Sequence, residues 1–344
     1  MQPIPITVVI PSILGGPLLR ACLDSLSLQT EPHFRVLVID NSGAGIIQSE
    51  LSDYLASKSF PVPIRIHRSE RNLGFAAAVN LAWSLLEPSH LATLNDDAEA
   101  APGWLAALRR ELEAVPDVGM CASRILLYGS STLDSAGMLI ARDGSSKQRG
   151  QGRPASAFDA PCDVLFPSAC AALYRRETLE DVGLFDSDFF LYCEDTDLGL
   201  RARWNGWECR YVPDAIVQHH YSQSAGEASP LKLFQVERNR LWVLGKNFPL
   251  RMLWIAPFSA IARYVWHLFY FLAGRGASGR FRSTGSSPFV LVAIVIRAHW
   301  AFLRSALTLL RKRRLIRKSA LISSKQFAAL LRRHSISSRE IARL

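Results

Sequence analysis

The side chains of this chain that can do chemistry fall in a few short stretches. Asn95-Asp96-Asp97 follows the apolar run Leu91 to Leu94 and sits where a buried strand ends. Its carboxylates suit a hard divalent cation bridging a diphosphate, and equally a solvated turn or a helix cap. In Arg71-Asn72-Leu73-Gly74, polar residues precede a glycine and the small-residue run Phe75 to Asn80. That pattern lets a ligand approach the backbone at a helix N-terminus, or packs an ordinary helix on a sheet through its alanines. Glu194-Asp195-Thr196-Asp197 follows the aromatic run Phe189 to Tyr192. Acids there favour a first helical turn, and a carboxylate against Phe and Tyr rings has the partly desolvated setting of a general base. His219-His220 lies past a predicted strand, Ala215 to Gln218, where an imidazole can complete a cation shell begun by Asp97.

The elements that must hold these groups alternate. Thr7 to Ile10 is a β-branched run ended by Pro11; Leu18, Leu19, Cys22, Leu23 and Leu26 recur at helical spacing; Phe34 to Ile39 is a second strand ending at Asp40-Asn41-Ser42-Gly43. Pro63 to His67 predicts a strand, Gly74 to Leu86 an Ala-rich helix and Leu91 to Leu94 another strand. Strand and helix in alternation predict a parallel sheet, in which ligands gather where strands end, so Asp40, Asn72 and Asp97 share one edge. Gly129 to Pro161, rich in Gly, Ser and Arg, reads as a long loop or hairpin excursion, and the body closes near Arg238-Asn239-Arg240.

The chain has 344 residues and a net charge of +10, but the charge is uneven: from Arg238 onward there are 21 basic residues and a single acid, Glu340. An acidic body joined to a basic tail points to nucleic acid or an anionic membrane surface. Beyond Pro249 the apolar stretches Met252 to Leu272 and Pro288 to Leu310 are interrupted by Arg263, and by Arg297 and Arg304. A nucleic acid would not bury such stretches, so no nucleic-acid partner is expected. If both stretches crossed a bilayer, their connecting loop with Arg275, Arg280 and Arg282 would lie outside, against the positive-inside rule. Helices lying in the interface are favoured over spans, with Trp254, Trp266, Tyr270 and Trp300 at headgroup depth and Arg311 to Lys318 on anionic lipid. The six cysteines have no C-x-x-C spacing and read as reduced thiols, and Met1 to Pro5 lacks the features of a signal peptide. A body on the cytoplasmic side is therefore expected.

Taken in order, these pieces resemble the inverting family 2 glycosyltransferases, in particular the bacterial branch containing rhamnosyltransferases. The stretches that carry the resemblance are Val8-Val9-Ile10-Pro11, Val38-Ile39-Asp40-Asn41, Asn72-Leu73-Gly74-Phe75 with Asn80, Leu94-Asn95-Asp96-Asp97, Val182-Gly183-Leu184-Phe185-Asp186, Phe189 to Leu198, and Val212-Pro213-Asp214-Ala215 leading to His219. The block from Phe189-Phe190-Leu191-Tyr192 to Asp197-Leu198 is the most specific of them. The chain departs from the family pattern at Pro11-Ser12-Ile13-Leu14, which lacks an Asn, at Ser42-Gly43-Ala44-Gly45, which lacks an acid, and at Asp96, where many members have proline.

The resemblance implies a GT-A fold, a Rossmann-like mixed α/β sheet, over residues 1–245, with a basic, apolar helical membrane-association region over 246–344. It implies a nucleotide-sugar site of Pro11, Asp40, Asn72, Gly74, Asn80, Asn95 and Asp96, with Mg2+ or Mn2+ on Asp97 and His219. Asp195 would be the catalytic base and Glu194 its neighbour orienting the acceptor. The activity implied is metal-dependent, inverting transfer of a sugar, rhamnose among them, from a dTDP- or UDP-linked donor to a lipid-linked or polysaccharide acceptor. Its place would be the cytoplasmic face of the bacterial inner membrane; the alternative is a non-catalytic membrane-associated scaffold on the same fold.

Overall fold

The computed structural model describes residues 5–220, 229–276, 279 and 288–343. The N-terminal Met1 to Ile4, the Ser222 and Ser224 that follow the histidine pair, and Arg280 and Arg282 lie outside the described residues.

The strands and helices begin as the sequence predicts. Strand β1 (Ile6–Ser12) feeds helix α1 (Gly16–Ser27), then come β2 (Phe34–Asp40), α2 (Ile46–Ser57), β3 (Ile64–Arg68), α3 (Gly74–Leu86) and β4 (His90–Leu94). Helix α2 was not foreseen, because Ile47 and Leu51 are its only buried side chains and make a weak stripe. The chain continues through β5 (Ala98–Ala100), α4 (Trp104–Ala114), β6 (Val118–Leu127), β7 (Leu133–Ser135), the hairpin β8 (Met138–Ile140) and β9 (Ser146–Gln148), β10 (Cys162–Asp163), β11 (Ala171–Arg175), α5 (Arg176–Val182), α6 (Glu194–Trp204) and β12 (Glu208–His219).

Among the described residues the main sheet runs β10-β12-β6-β11-β4-β1-β2-β3, with β5 on β12 and β7 on β6. β1, β2, β3 and β4 are parallel, while β11 runs antiparallel between β4 and β6. Strands β1 and β2 are buried on both faces, as central parallel strands are. Side chains alternate: Val8 and Ile10 enter the core holding Leu19, Leu23 and Trp104, while Val9 enters the other, with Ala76, Ala78 and Val79 of α3. Register places Ser12 beside Asp40 and Asp40 beside Arg68, so the strands end together along one edge.

The chain divides into two compact units. The first contains 5–137, 148–202 and 207–220; the second contains 138–147, 203–206 and the described residues from 229 onward. The division differs from the expected boundary at 245/246, because the tip of the Gly/Ser-rich excursion and the end of α6 pack with the C-terminal helices. These are α7 (Pro230–Asn247), α8 (Leu250–Leu253), α9 (Ala256–Leu272), α10 (Pro288–Arg304), α11 (Ala306–Lys318), α12 (Ser324–Arg333) and α13 (Ser338–Arg343).

Two polar devices hold the second unit together. The Trp204 indole stacks on Phe327 at 3.8 Å between centroids, with the Arg317 guanidinium 3.5 Å from its ring, and donates to the Asn247 carbonyl at 2.9 Å. Arg313 and Arg317 donate to the carbonyls of Gly245 and Asn247, satisfying orphan groups at the end of α7. Elsewhere Asp143, at the tip of the β8–β9 hairpin, accepts from Arg263 of α9 at 2.6 Å. Glu237 of α7 accepts from Arg263 at 2.9 Å, and also from Arg240 and the Tyr264 hydroxyl. Burial alone would raise both acids; the two arginines outweigh it and hold both carboxyls below the ordinary range.

Because the folded-state pKa values of Asp143 and Glu237 lie below their unfolded values, the pair contributes stability at neutral pH that is lost as pH falls through the carboxylate range. Asp143→Ala leaves Arg240 and Arg263 sharing the single acid Glu237, so that one buried positive charge is uncompensated, and is expected to cost about 3–5 kcal/mol. Thermal unfolding at neutral and acid pH checks both: the variant should melt lower at pH 7, and the gap should close on acidification.

Candidate functional site

The site is assembled where β4, β5, β11 and β12 meet. The last residue of β12, His219, pairs with Ala98 of β5, which puts its ring beside Asp97. His219 Nε2 stands 3.2 Å from Asp97 Oδ1, and its Nδ1 stands 2.8 Å from Asp134 Oδ2 on β7; all three are buried. Burial alone would strip the ring of its proton, but Cys170, Asp134 and Asp97 act the other way and raise its pKa. Among the described residues no group of three or more His, Cys, Asp and Glu side chains is arranged to enclose a metal ion. The Asp97–His219 separation nevertheless fits two neighbouring ligands of an octahedral cation, which at roughly 2.1 Å from the ion stand about 3 Å apart. A carboxylate on the far ring nitrogen, as Asp134 supplies, fixes the tautomer a ligating histidine needs.

Beside this pair, Asp96 accepts from the Ser12 hydroxyl at 2.5 Å. Burial pushes its carboxyl up to about 6, against the pull of that hydroxyl. Pro11 and Ser12 close β1 at the same edge, and Asn95 donates its N–H to the Cys170 carbonyl at 2.8 Å, tying the acidic turn to the start of β11.

The polar residues at the ends of β2 and β3 form a second cluster. Asp40 is fully buried and accepts from the Ser42 N–H and hydroxyl and from the Gln48 N–H, so its carboxylate shapes the turn into α2. Asn41 donates to the Asn72 side chain at 3.1 Å and accepts from the Leu73 N–H at 2.8 Å, while Asn72 accepts from the Gly74 N–H at 2.8 Å. These bonds set the entry to α3.

The third part is a strained turn. Phe190, Tyr192 and Cys193 have φ of 63°, 70° and 66°, the left-handed region that side chains rarely enter. Such conformations persist only where surrounding bonds dictate them, and they collect at functional sites. Here the Phe75 N–H donates to the Phe190 carbonyl at 2.7 Å, and Gly74 lies so close that a Cβ would meet that oxygen at 2.3 Å. Asn80 uses both ends of its amide on the Phe185 backbone. Arg201 pairs with Asp197 at 2.9 Å and donates to the carbonyls of Val182, Gly183 and Leu184. The turn thus delivers Glu194 and Asp195 to the N-terminus of α6.

Asp195 accepts from the N–H of Ala169 at 3.3 Å and from the N–H and hydroxyl of Thr196. Burial raises its pKa and these donors oppose the rise. Glu194 is buried, its Oε2 has no hydrogen-bond partner among the described residues, and burial with Asp195 beside it holds its carboxyl well above the usual range. Burial raises both carboxyls, Glu194 the further of the two, because the Ala169 and Thr196 donors oppose the rise at Asp195. Ala169 and Cys170, consecutive just before β11, meet Asp195 through an N–H and His219 through the thiol. The turn and the histidine therefore flank one short segment.

Ser12, Asn41, Asp134 and Cys170 were not among the residues expected at the site. Asn41 had a signal, since it follows Asp40 at a strand end. Asp134 lay in a stretch read as loop, and Cys170 was one of several thiols of no special spacing.

A mixed sheet with acids at the ends of its parallel strands and a carboxylate pair at a helix N-terminus is the architecture of the GT-A glycosyltransferases. Its fold matches GalNAc-T7, solved with UDP, GalNAc and Mn2+, at a TM-score of 0.57 and 16% identity, covering 71% of this chain and 48% of that one, so the chain spans about half that enzyme's length. It matches the mannosyltransferase PcManGT of Pyrobaculum calidifontis, solved with GDP-Man and Mn2+, at a TM-score of 0.52 and 17% identity, covering 88% of this chain and 86% of that one. The profile of Glycosyl transferase family 2 matches residues 7–183, more than half of the chain, and the chain belongs to that family. It is 30% identical over 234 residues to the N-acetylglucosaminyl-diphospho-decaprenol L-rhamnosyltransferase of Mycobacterium tuberculosis (strain ATCC 25618 / H37Rv), covering 61% of this chain and 74% of that protein. It is 26% identical to the O-antigen biosynthesis protein RfbC of Myxococcus xanthus over 64% of this chain and 17% of that protein.

Gly74→Ala tests the anchoring of the strained turn, since a methyl there would overlap the Phe190 carbonyl at a φ of 75°. A loss of about 2–4 kcal/mol is expected on thermal or denaturant unfolding. Transferase activity should fall further than stability, because the turn carries the carboxylate pair.

Proposed function

We propose that this chain is an inverting glycosyltransferase that moves a sugar, L-rhamnose foremost, from a dTDP- or UDP-linked donor to a glycan acceptor on a polyprenyl diphosphate. The observation that carries the chemistry is the adjacent Glu194–Asp195 pair, both carboxyls raised and Glu194 the further, flanking the same Ala169–Cys170 segment as the Asp97–His219 pair. Rhamnose and the lipid-linked acceptor are supported by the similarity to the mycobacterial N-acetylglucosaminyl-diphospho-decaprenol L-rhamnosyltransferase.

In this reading Asp195 removes the proton of the acceptor hydroxyl as that oxygen attacks the anomeric carbon of the donor. Its raised pKa makes it a stronger base than an exposed aspartate, and the Ala169 and Thr196 donors aim it. Glu194, whose carboxyl burial holds well above the usual range, stands beside Asp195 and orients the acceptor. One base with no second nucleophile gives inversion. Asp97 and His219 would hold Mg2+ or Mn2+, and when bound that ion supplies charge neutralisation for the departing diphosphate. Asn95, Asp96, Pro11, Asn72 and Gly74 line the strand ends on the donor side. Asp40 and Asn80, whose polar atoms are engaged within the chain, act there by shaping the α2 turn and bracing the Phe185 loop. The reading as an inert scaffold is disfavoured by the cost of keeping Glu194 buried with an oxygen that has no partner among the described residues.

Asp195→Asn should lower transfer by roughly 10²–10⁴-fold while nucleotide-sugar binding, read by calorimetry, stays near wild type; loss of donor binding instead would remove Asp195 from the base role. In the wild type, activity should fall on the acid side at a pH above that of an ordinary aspartate, since the raised group must be deprotonated to act. Asp134→Asn should weaken Mn2+ binding in the presence of nucleotide by about 10–100-fold, measured by calorimetry without turnover.

A further inference from the structure

The second unit is built inside out. The charged residue of α9, Arg263, is buried with Tyr264 and His267 half-buried, while Phe258, Ile261, Val265, Leu268, Phe269 and Leu272 are exposed. Their spacing of three or four residues makes one continuous apolar stripe along the outer side of the helix. Trp254, just before α9, is 82% exposed. On α10 the same arrangement recurs: Ile294 and Ala298 face inward, and Phe289, Val292, Ile296, Trp300 and Leu303 face outward. Here exposed bases lie among the outward apolar residues: Arg297 and Arg304 on α10, then Arg311, Arg314 and Lys318 on α11.

We propose that the outward faces of α9 and α10 are seated in one leaflet of a bilayer containing anionic lipid, the helices lying along the interface. This deepens the reading of a lipid-linked acceptor by naming the surface that meets the lipid, and it rests on that reading for its purpose but not for its test. A soluble helix puts its apolar stripe toward the protein core and its charges toward water; α9 reverses both, which is stable only where the outer medium is apolar. The 17 residues of α9 span about 26 Å, short of the roughly 30 Å hydrocarbon core, and no single helix among the described residues is long and apolar enough to cross a membrane. The bent pair Phe289–Arg304 and Ala306–Lys318, long and apolar enough only when both helices are taken together, turns by 64° and carries exposed bases. A second copy of the chain is a poor cover, because the region from Arg238 onward holds 21 basic residues and one acid and would be pressed against its like. Anionic headgroups supply the missing charge. Arg240, Arg263, Arg313 and Arg317 are occupied inside the unit, so the exposed bases carry this role.

The test uses the full chain, without substrates, and vesicles of phosphatidylcholine with or without phosphatidylglycerol. Binding by flotation is expected, stronger with the anionic lipid, together with quenching of tryptophan fluorescence by brominated acyl chains. Trp254→Phe with Trp300→Phe should remove most of that quenching without changing the apolar face. Val265→Glu with Leu268→Glu should weaken vesicle binding by about tenfold or more while circular dichroism is unchanged. Absence of flotation, quenching that survives the tryptophan replacements, or a charged variant that binds like wild type would each overturn the proposal. So would a charged variant that keeps vesicle binding but converts a dimer to a monomer in vesicle-free solution, which would assign the face to a second copy. Asp195→Asn should bind vesicles as wild type does, so a failure of the catalytic reading leaves this result standing.

Discussion

Carboxylates taken out of water at the end of a sheet are the constraint around which the first unit is organised. A buried carboxyl is costly unless polar partners surround it. Asp40 has Ser42 and Gln48, Asp96 has Ser12, Asp97 and Asp134 share His219, and Asp195 has Ala169 and Thr196. The sheet makes this arrangement possible because parallel strands end in register, leaving backbone N–H groups and small polar side chains along one edge. Glu194 is the exception, with an oxygen that has no partner among the described residues and a carboxyl that burial and the neighbouring Asp195 raise well above the usual range.

The strained turn before α6 shows how that edge is tied to chemistry. Three non-glycine residues in left-handed conformation cost on the order of 1–3 kcal/mol each. The stabilisation that offsets them comes from elements distant in sequence: the N-terminus of α3, the Asn80 amide and the Arg201 guanidinium. Rigid support of this kind holds the two carboxyls with different proton affinities although they are adjacent in the chain. A looser turn would let them solvate and become alike.

The second unit solves the opposite problem. Its polar core of Asp143, Glu237, Arg240 and Arg263 balances two acids against two bases, and so needs no water to neutralise it. With the charges satisfied inside, the outer faces of α9 and α10 are free to be apolar.

The central alternation of strands and helices was legible because it follows from local periodicity: β-branched runs ended by Pro11 or Asp40, and the Ala-rich stretch that became α3 over the predicted residues. The motif stretches were legible too, since short polar runs after apolar strands are visible without coordinates. Helix α2 was missed for want of a full apolar stripe, and the pairing of Asp134 with His219 was missed because it joins strands 85 positions apart. The direction in which α9 turns its arginine was equally invisible, since a period of 3.6 says which residues share a face but not what that face meets. Composition and periodicity thus settled the elements and the uneven charge of this chain. Strand order, long-range hydrogen bonds and burial settled which acids meet, which carboxyls are raised and which apolar faces stay outside, because each depends on neighbours that lie far away along the sequence.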